Sequence, residues 1–145
     1  MKILSLLFLT LFLGKSCDSQ KKQDLKTAVI EYVANTRGFY QKVIIQDQTI
    51  RVFKDRSGNV KPLATKISDA DWKVLITEFQ KMNLEEIPNL KAPTEKRFYD
   101  GAAIANLTIT YKGKTYKTNA FDHGFPPLEI EKLVNKINSI VKEEE

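Results

Sequence analysis

Apolar and polar residues alternate along several short stretches of the chain, which predicts β-strands. Each stretch is rich in β-branched and aromatic side chains, and turn-forming residues separate one from the next. Lys112-Gly113 has the composition of a two-residue hairpin turn, and a further short extended piece is expected near 63–66. The predicted strands cover residues 29–33, 42–45, 49–53, 103–111 and 114–121.

Two other segments repeat their apolar residues with the period of an α-helix. The first begins after Ser68, which can cap the amide of Asp71, while Ile67 and Trp72 can form a hydrophobic staple across the cap. Its apolar stripe is Trp72, Leu75, Ile76, Phe79 and Met82, and core packing explains this stripe better than a ligand platform does. The second helix follows Pro126-Pro127, and its stripe is Ile130, Leu133, Val134, Ile137, Ile140 and Val141.

The order of these elements is strands, helix, strand pair, helix. Two amphipathic helices can cover one face of an antiparallel sheet, so we predict an α+β fold with about five strands and both helices on one face. The predicted domain spans residues 28–142, which is an ordinary length for one domain.

The N-terminus has the pattern of a secretion signal. Lys2 precedes an eleven-residue apolar run, Ile3–Leu13, which is too short to span a bilayer as a helix. Gly14 and Ser16 then place small residues three and one positions before Cys17. We therefore predict a signal peptide over residues 1–16 and export from the cytoplasm.

These first seventeen residues resemble the signal peptide of bacterial lipoproteins. The resemblance implies a triacylated Cys17 that anchors the domain to a bacterial membrane of the cell envelope, expected to be the outer membrane, through a polar tether over 17–27. The sequence departs from the family pattern at Leu13, four residues before the cysteine, and at Lys15 within the small-residue box. The alternative is cleavage by an ordinary signal peptidase, which would give a periplasmic or secreted protein.

Composition removes several classes of function. The chain is 42% hydrophobic and 28% charged, and its formal net charge of +5 comes mainly from lysines spread along the sequence, so we expect no nucleic-acid partner. Cys17 and His123 are single residues of their types, which is too few for a Cys/His zinc site, and we expect no metal and no cofactor. The chain contains no phosphate-binding loop, dinucleotide-binding glycine motif or nucleophile elbow.

The connection over residues 88–100 is the best candidate for a binding surface. It contains Arg97, Phe98, Tyr99 and Asp100, a combination of cation, aromatic rings and carboxylate that is typical of interface anchors. In the alternative, Phe98 and Tyr99 fold back onto the core while the basic side chains are solvated. The composition favours this alternative.

Asp122 and His123 form the second candidate site, directly before the second helix. Neighbouring residues in a strand point to opposite faces, so the two side chains are not expected to form a direct Asp–His pair. An acid–base pair of His123 with Asp100 would require the fold to bring them together. A histidine in this position more often marks a turn than a general base.

The predicted function is a non-enzymatic binding or accessory module, lipid-anchored in the cell envelope and acting on an envelope protein partner. The alternatives are a small envelope hydrolase that uses Asp100, Asp122 or His123, and an enzyme inhibitor that acts through the 88–100 loop. The order of elements over 27–141 also resembles small bacterial lipoprotein domains in which a strand pair precedes each helix. That resemblance is one of pattern and implies no particular activity.

Overall fold

A computed structural model describes residues 23–143, which form an antiparallel sheet covered by two α-helices. The helices are α1 (Asp69–Lys81) and α2 (Glu131–Glu143). Short 3₁₀ turns cover Leu25–Thr27, Leu84–Asn89, Lys96–Tyr99 and Leu128–Ile130. The strands are β1 (Val29–Thr36), β2 (Phe39–Gln46), β3 (Thr49–Phe53), β4 (Ala64–Lys66), β5 (Ile104–Tyr111), β6 (Lys114–Lys117) and β7 (Phe121–Asp122).

The sheet has the order β4-β3-β2-β1-β5-β6, and β7 pairs with the beginning of β5. This confirms the predicted α+β fold, with seven strands where about five were expected. The single strand predicted over 114–121 is divided because the hydroxyl of Thr118, a buried residue, accepts a hydrogen bond from the backbone amide of Leu107 at 3.0 Å. A side chain thus replaces a backbone acceptor beside β5. The Thr118 amide still donates to the Leu107 carbonyl at 2.9 Å, and the next strand that pairs with β5 is β7.

Every second residue of the strands points toward the helices, and these residues form the core together with the apolar stripes of α1 and α2. The stripes predicted for both helices therefore face the sheet. Ser68 caps α1 by accepting a hydrogen bond from the Asp71 amide at 3.2 Å. Lys136 of α2 forms an ion pair with Asp71, which joins the two helices at the start of α1. Fully buried core residues include Ile30, Tyr32, Ile45, Ile50, Leu75, Phe79, Leu107, Ile109 and Ile137.

The segment before β1 is part of the domain. Leu25 is 1% exposed, the Gln23 side chain donates to the Met82 carbonyl at 2.7 Å, and the Asp24 amide donates to the Tyr111 hydroxyl at 3.1 Å. Residues 23–27, the last part of the predicted tether over 17–27, thus pack against the domain, and their one large apolar side chain is buried. The predicted signal peptide, Cys17 and residues 18–22 lie outside the described residues.

Candidate functional site

The carboxylate of Asp122 holds the 88–100 loop against the end of the sheet. Asp122 lies in β7, next to the start of β5, and its side chain is fully buried. It accepts hydrogen bonds from the Thr94 hydroxyl at 2.5 Å, the Lys96 amide at 2.7 Å and both the amide and Nη1 of Arg97 at 3.0 Å. We call these four residues the Asp122 clamp.

The clamp keeps Asp122 ionised. Burial alone would raise the pKa of this carboxyl, but the hydrogen bonds from Thr94, Arg97 and Lys96 outweigh burial and lower the pKa to about 2. The Arg97 side chain is only 12% exposed and also donates to the Thr94 carbonyl at 2.8 Å. Arg97 therefore orders the loop from inside and is not available as a free surface cation.

Phe98 and Tyr99 project from the clamped loop into solvent, with 73% and 71% of their surfaces exposed. The prediction that these rings fold back onto the core was wrong. Asp100 closes the turn in a left-handed conformation, at φ 58°, and the Gly101 amide donates to the Lys96 carbonyl. A Cβ atom at Gly101 would lie 2.8 Å from the exposed Tyr99 ring and 3.1 Å from the Lys96 carbonyl oxygen, so a larger residue here would displace the ring.

Two more exposed apolar side chains lie next to the clamp. Ile104, 43% exposed, pairs with Asp122 across β5 and β7, and Phe125, 40% exposed, forms a bridge with Asp122. The Lys96 ammonium lies 3.8 Å from the centre of the Phe125 ring, a cation–π contact. We define the aromatic surface as Phe98, Tyr99, Ile104 and Phe125. Phe98 follows Arg97 in the chain and Tyr99 follows Phe98, while Ile104 and Phe125 pair with Asp122.

His123 has different partners from Asp122 and lies in the turn that follows β7. Its Nδ1 lies 2.7 Å from the hydroxyl of the fully buried Tyr32, and its ring lies 5.5 Å from that of Phe39. Burial raises the pKa of Tyr32 to about 12, so this hydroxyl is protonated at neutral pH. Burial, followed by the charges of Lys142 and Lys54, lowers the pKa of His123.

We expect stability to fall as the pH is lowered below about 6.5, the usual histidine pKa, because unfolded His123 then binds a proton that the folded state resists. One such group contributes a slope of at most about 1.4 kcal/mol per pH unit. Thermal unfolding between pH 7.5 and 5 measures this slope, and His123→Gln should flatten it. An unchanged slope in the variant would assign the pH dependence to other groups.

The structure thus divides the six predicted residues among three roles. Arg97 and Asp122 form the clamp, Phe98 and Tyr99 belong to the aromatic surface with Asp100 closing their turn, and His123 belongs to a separate polar cluster. Sequence analysis missed Thr94, Phe125, Tyr32 and Gln41. Gln41 did carry a signal, since it shares the buried face of β2 with Val43 and Ile45.

Within residues 23–143, no group of three or more histidine, cysteine or acidic side chains is arranged to hold a metal ion. No helix in this part of the chain is long and apolar enough to cross a membrane. Comparisons with protein-family models, curated proteins and solved structures found no match for the chain.

Proposed function

We propose that this chain is a lipid-anchored protein of the bacterial cell envelope that acts as a non-enzymatic binding module. Cys17 carries the anchor, and the aromatic surface contacts an envelope protein partner. The observation that carries the binding role is the Asp122 clamp, which fixes the backbone on which Phe98 and Tyr99 stand exposed. Exposed aromatic residues on a preorganised backbone lose little entropy when they bind, and this lowers the cost of association.

The topology separates the proposed anchor from the proposed binding surface. The chain enters the domain where Gln23 contacts Met82, beside the end of β5, and β1 begins there with Val29 opposite Thr110. The opposite end of β1 pairs with Ile104, next to Asp122. The eight residues of β1 span about 25 Å. Residues 18–22 allow at most about 20 Å between Cys17 and Gln23. The aromatic surface would therefore face away from the membrane.

The hydrogen bonds of Asp122 support a binding role over hydrolysis. A general base must accept a proton from a substrate or water within hydrogen-bond reach. Asp122 is fully buried and already accepts bonds from four donors in the loop. The clamp also favours a second form of the proposal, in which the rigid, projecting loop inhibits a partner enzyme.

The experiment places a photo-crosslinking amino acid at Tyr99 of the full chain, in cells, with and without Cys17→Ala. Leu63, 83% exposed at the other edge of the sheet, is the matched control position. We expect the parent chain in the membrane fraction with the mass of an acylated Cys17, and a discrete crosslinked product from position 99 alone. Recovery of soluble chain with an unmodified Cys17 would contradict the proposed lipid anchor. Equal crosslinking from positions 63 and 99 would contradict the proposed binding surface.

A further inference from the structure

One face of the sheet is not covered by the helices. Along β1 and β2 the residues that face the helices are buried, while the alternate residues are partly exposed. We call the side that carries these alternate residues the open face. The aromatic surface continues onto it, because Ile104 pairs with Asn35 and Asn35 pairs with Tyr40 in one row across β5, β1 and β2. Neighbouring strands are about 4.8 Å apart, so Tyr40 lies about 10 Å from Ile104.

The charged side chains of the open face are mostly basic. Lys42, Arg51 and Lys117 each lie next to buried residues of their own strands and therefore point outward. Lys66 of β4 precedes the buried Ile67 and has the same orientation. Glu31 is the one acidic residue that β1–β6 place on this face, and it forms an ion pair with Lys42 at 3.5 Å. The other three basic residues have no ion-pair partner within residues 23–143.

Aromatic and aliphatic side chains lie among these charges. Phe53 pairs with Lys42 across β2 and β3, and the Lys42 ammonium lies 5.8 Å from the centre of the Phe53 ring. The Arg56 guanidinium lies 5.6 Å from the centre of the Tyr40 ring. Ile44 is partly exposed beside them on β2. Apolar and aromatic residues combined with arginine are typical of protein interfaces.

The same contacts distinguish between the possible classes of partner. A second copy of the chain in a two-fold symmetric contact would bring the basic residues of two open faces together, and like charges repel. Single-stranded nucleic acid binds by stacking its bases on open aromatic rings. The rings of Tyr40 and Phe53 are only partly exposed, and each has a cation over one face. Carboxylates, in contrast, pair directly with guanidinium and ammonium groups.

We propose that the protein partner of the aromatic surface presents an acidic segment, rich in aspartate and glutamate, that lies across the open face. Its carboxylates pair with Arg51, Lys66 and Lys117, and its apolar side chains contact Ile44 and Phe53. The inference rests on the proposed binding role of the aromatic surface and does not depend on the lipid anchor.

The sheet sets the length of this segment. Arg51 and Lys117 belong to one cross-strand row, which runs from β3 through β2, β1 and β5 to β6. Four strand spacings separate them, a distance of about 19 Å. An extended peptide of about six residues covers that distance.

The test titrates the chain from Cys17 onwards, with an unmodified cysteine, with poly-glutamate at constant pH and ionic strength, and follows amide NMR signals. We expect saturable shifts centred on β2 and β3, including the amides of Ile44 and Arg51. Arg51→Glu should raise Kd about tenfold, the effect of losing about 1.4 kcal/mol of binding free energy. Glu31→Gln should lower Kd, because it removes the carboxylate that competes for Lys42, and a damaged fold would not produce this gain.

The matched control is Lys132→Glu, which makes the same change in net charge at an exposed position of α2, on the helix-covered side of the sheet. It should leave Kd nearly unchanged. Lys117→Glu, on the exposed edge strand β6, should weaken binding and takes the place of Arg51→Glu if the spectrum shows that this variant does not fold. No saturable shift, or equal weakening by the substitutions at positions 51 and 132, would overturn the proposal.

Two further titrations test the class of partner. Oligo-deoxythymidine and vesicles of phosphatidylglycerol are added under the same conditions. We expect both to bind more weakly than poly-glutamate. Tighter binding of either one would overturn the acidic segment and assign the open face to nucleic acid or to a lipid surface.

Crosslinking in cells separates this inference from the proposed function. With the photo-crosslinking amino acid at Tyr99, Arg51→Glu should reduce the discrete product, whereas Lys132→Glu should not. A product that Arg51→Glu leaves unchanged would overturn the acidic segment but keep the binding role of the aromatic surface. The absence of any product from the parent chain would contradict the proposed function and this inference together.

Discussion

Replacing Asp122 with asparagine is expected to lower the free energy of unfolding by about 3–5 kcal/mol. The substitution keeps the shape of the side chain but removes the charge from a fully buried position. Arg97, 12% exposed, would be left without its carboxylate at 3.0 Å, and one acceptor oxygen would become an NH₂ donor that faces either the Lys96 amide or the Arg97 amide. Urea denaturation of the two proteins measures the difference.

An exposed ion pair of similar length provides the control. Lys114 and Glu85 are 2.8 Å apart, with side chains 58% and 66% exposed, so Glu85→Gln should lower the free energy of unfolding far less than the Asp122 substitution does. The folded-state pKa of Asp122 is lowered, so the stability it contributes is complete above the unfolded value of about 3.8 and is lost as the pH falls towards 2. Equal losses for the Asp122 and Glu85 variants would show that the clamp does not stabilise the fold.

Replacing Leu25 with alanine is expected to cost about 2–5 kcal/mol, the range for removing a fully buried leucine side chain. Leu25 is 1% exposed and packs within the core although it precedes the first strand. The result bears on the proposed anchor, because a packed Leu25 shortens the segment between Cys17 and the domain. Thermal or urea unfolding of the chain from Cys17 onwards, with an unmodified cysteine, measures the difference in the free energy of unfolding.

Leu63→Ala is the matched control for Leu25, since the same side chain is 83% exposed there. Its expected effect is within about 0.5 kcal/mol. A loss at Leu25 no larger than that at Leu63 would contradict the assignment of residues 23–27 to the domain. The tether would then extend to Ala28 and allow the domain to move further from the membrane.

Elements that depend on local spacing were predictable from the sequence. The stripes of α1 and α2 and the cap at Ser68 involve residues close together in the chain, and burial of one face gives each element its period. The Lys112-Gly113 turn likewise follows from two neighbouring residues, both at positive φ. These signals establish an α+β domain with helices on one face of the sheet.

Hydrogen bonds between distant residues were not predictable in the same way. Asp122 meets Thr94 across 28 positions, and the Tyr32–His123 and Gln41–Asn138 contacts cross 91 and 97 positions. These pairs form only because β5 pairs with β1 and β7, and because α2 packs over β1 and β2. A carboxylate in a loop-rich segment has the same local sequence whether it is solvated or buried, so Asp122 resembled a candidate site residue.

By itself, the sequence determined the elements, the fold class and a predicted signal and lipidation site at Cys17. Only the tertiary structure decided that Asp122 and Arg97 order the loop, that Phe98 and Tyr99 are exposed, and that His123 contacts the buried Tyr32 hydroxyl. The physical reason is that the two kinds of feature depend on residues at different separations along the chain. Periodicity records which face of one element is buried, whereas a polar side chain takes its role from the groups that the fold brings within hydrogen-bonding distance.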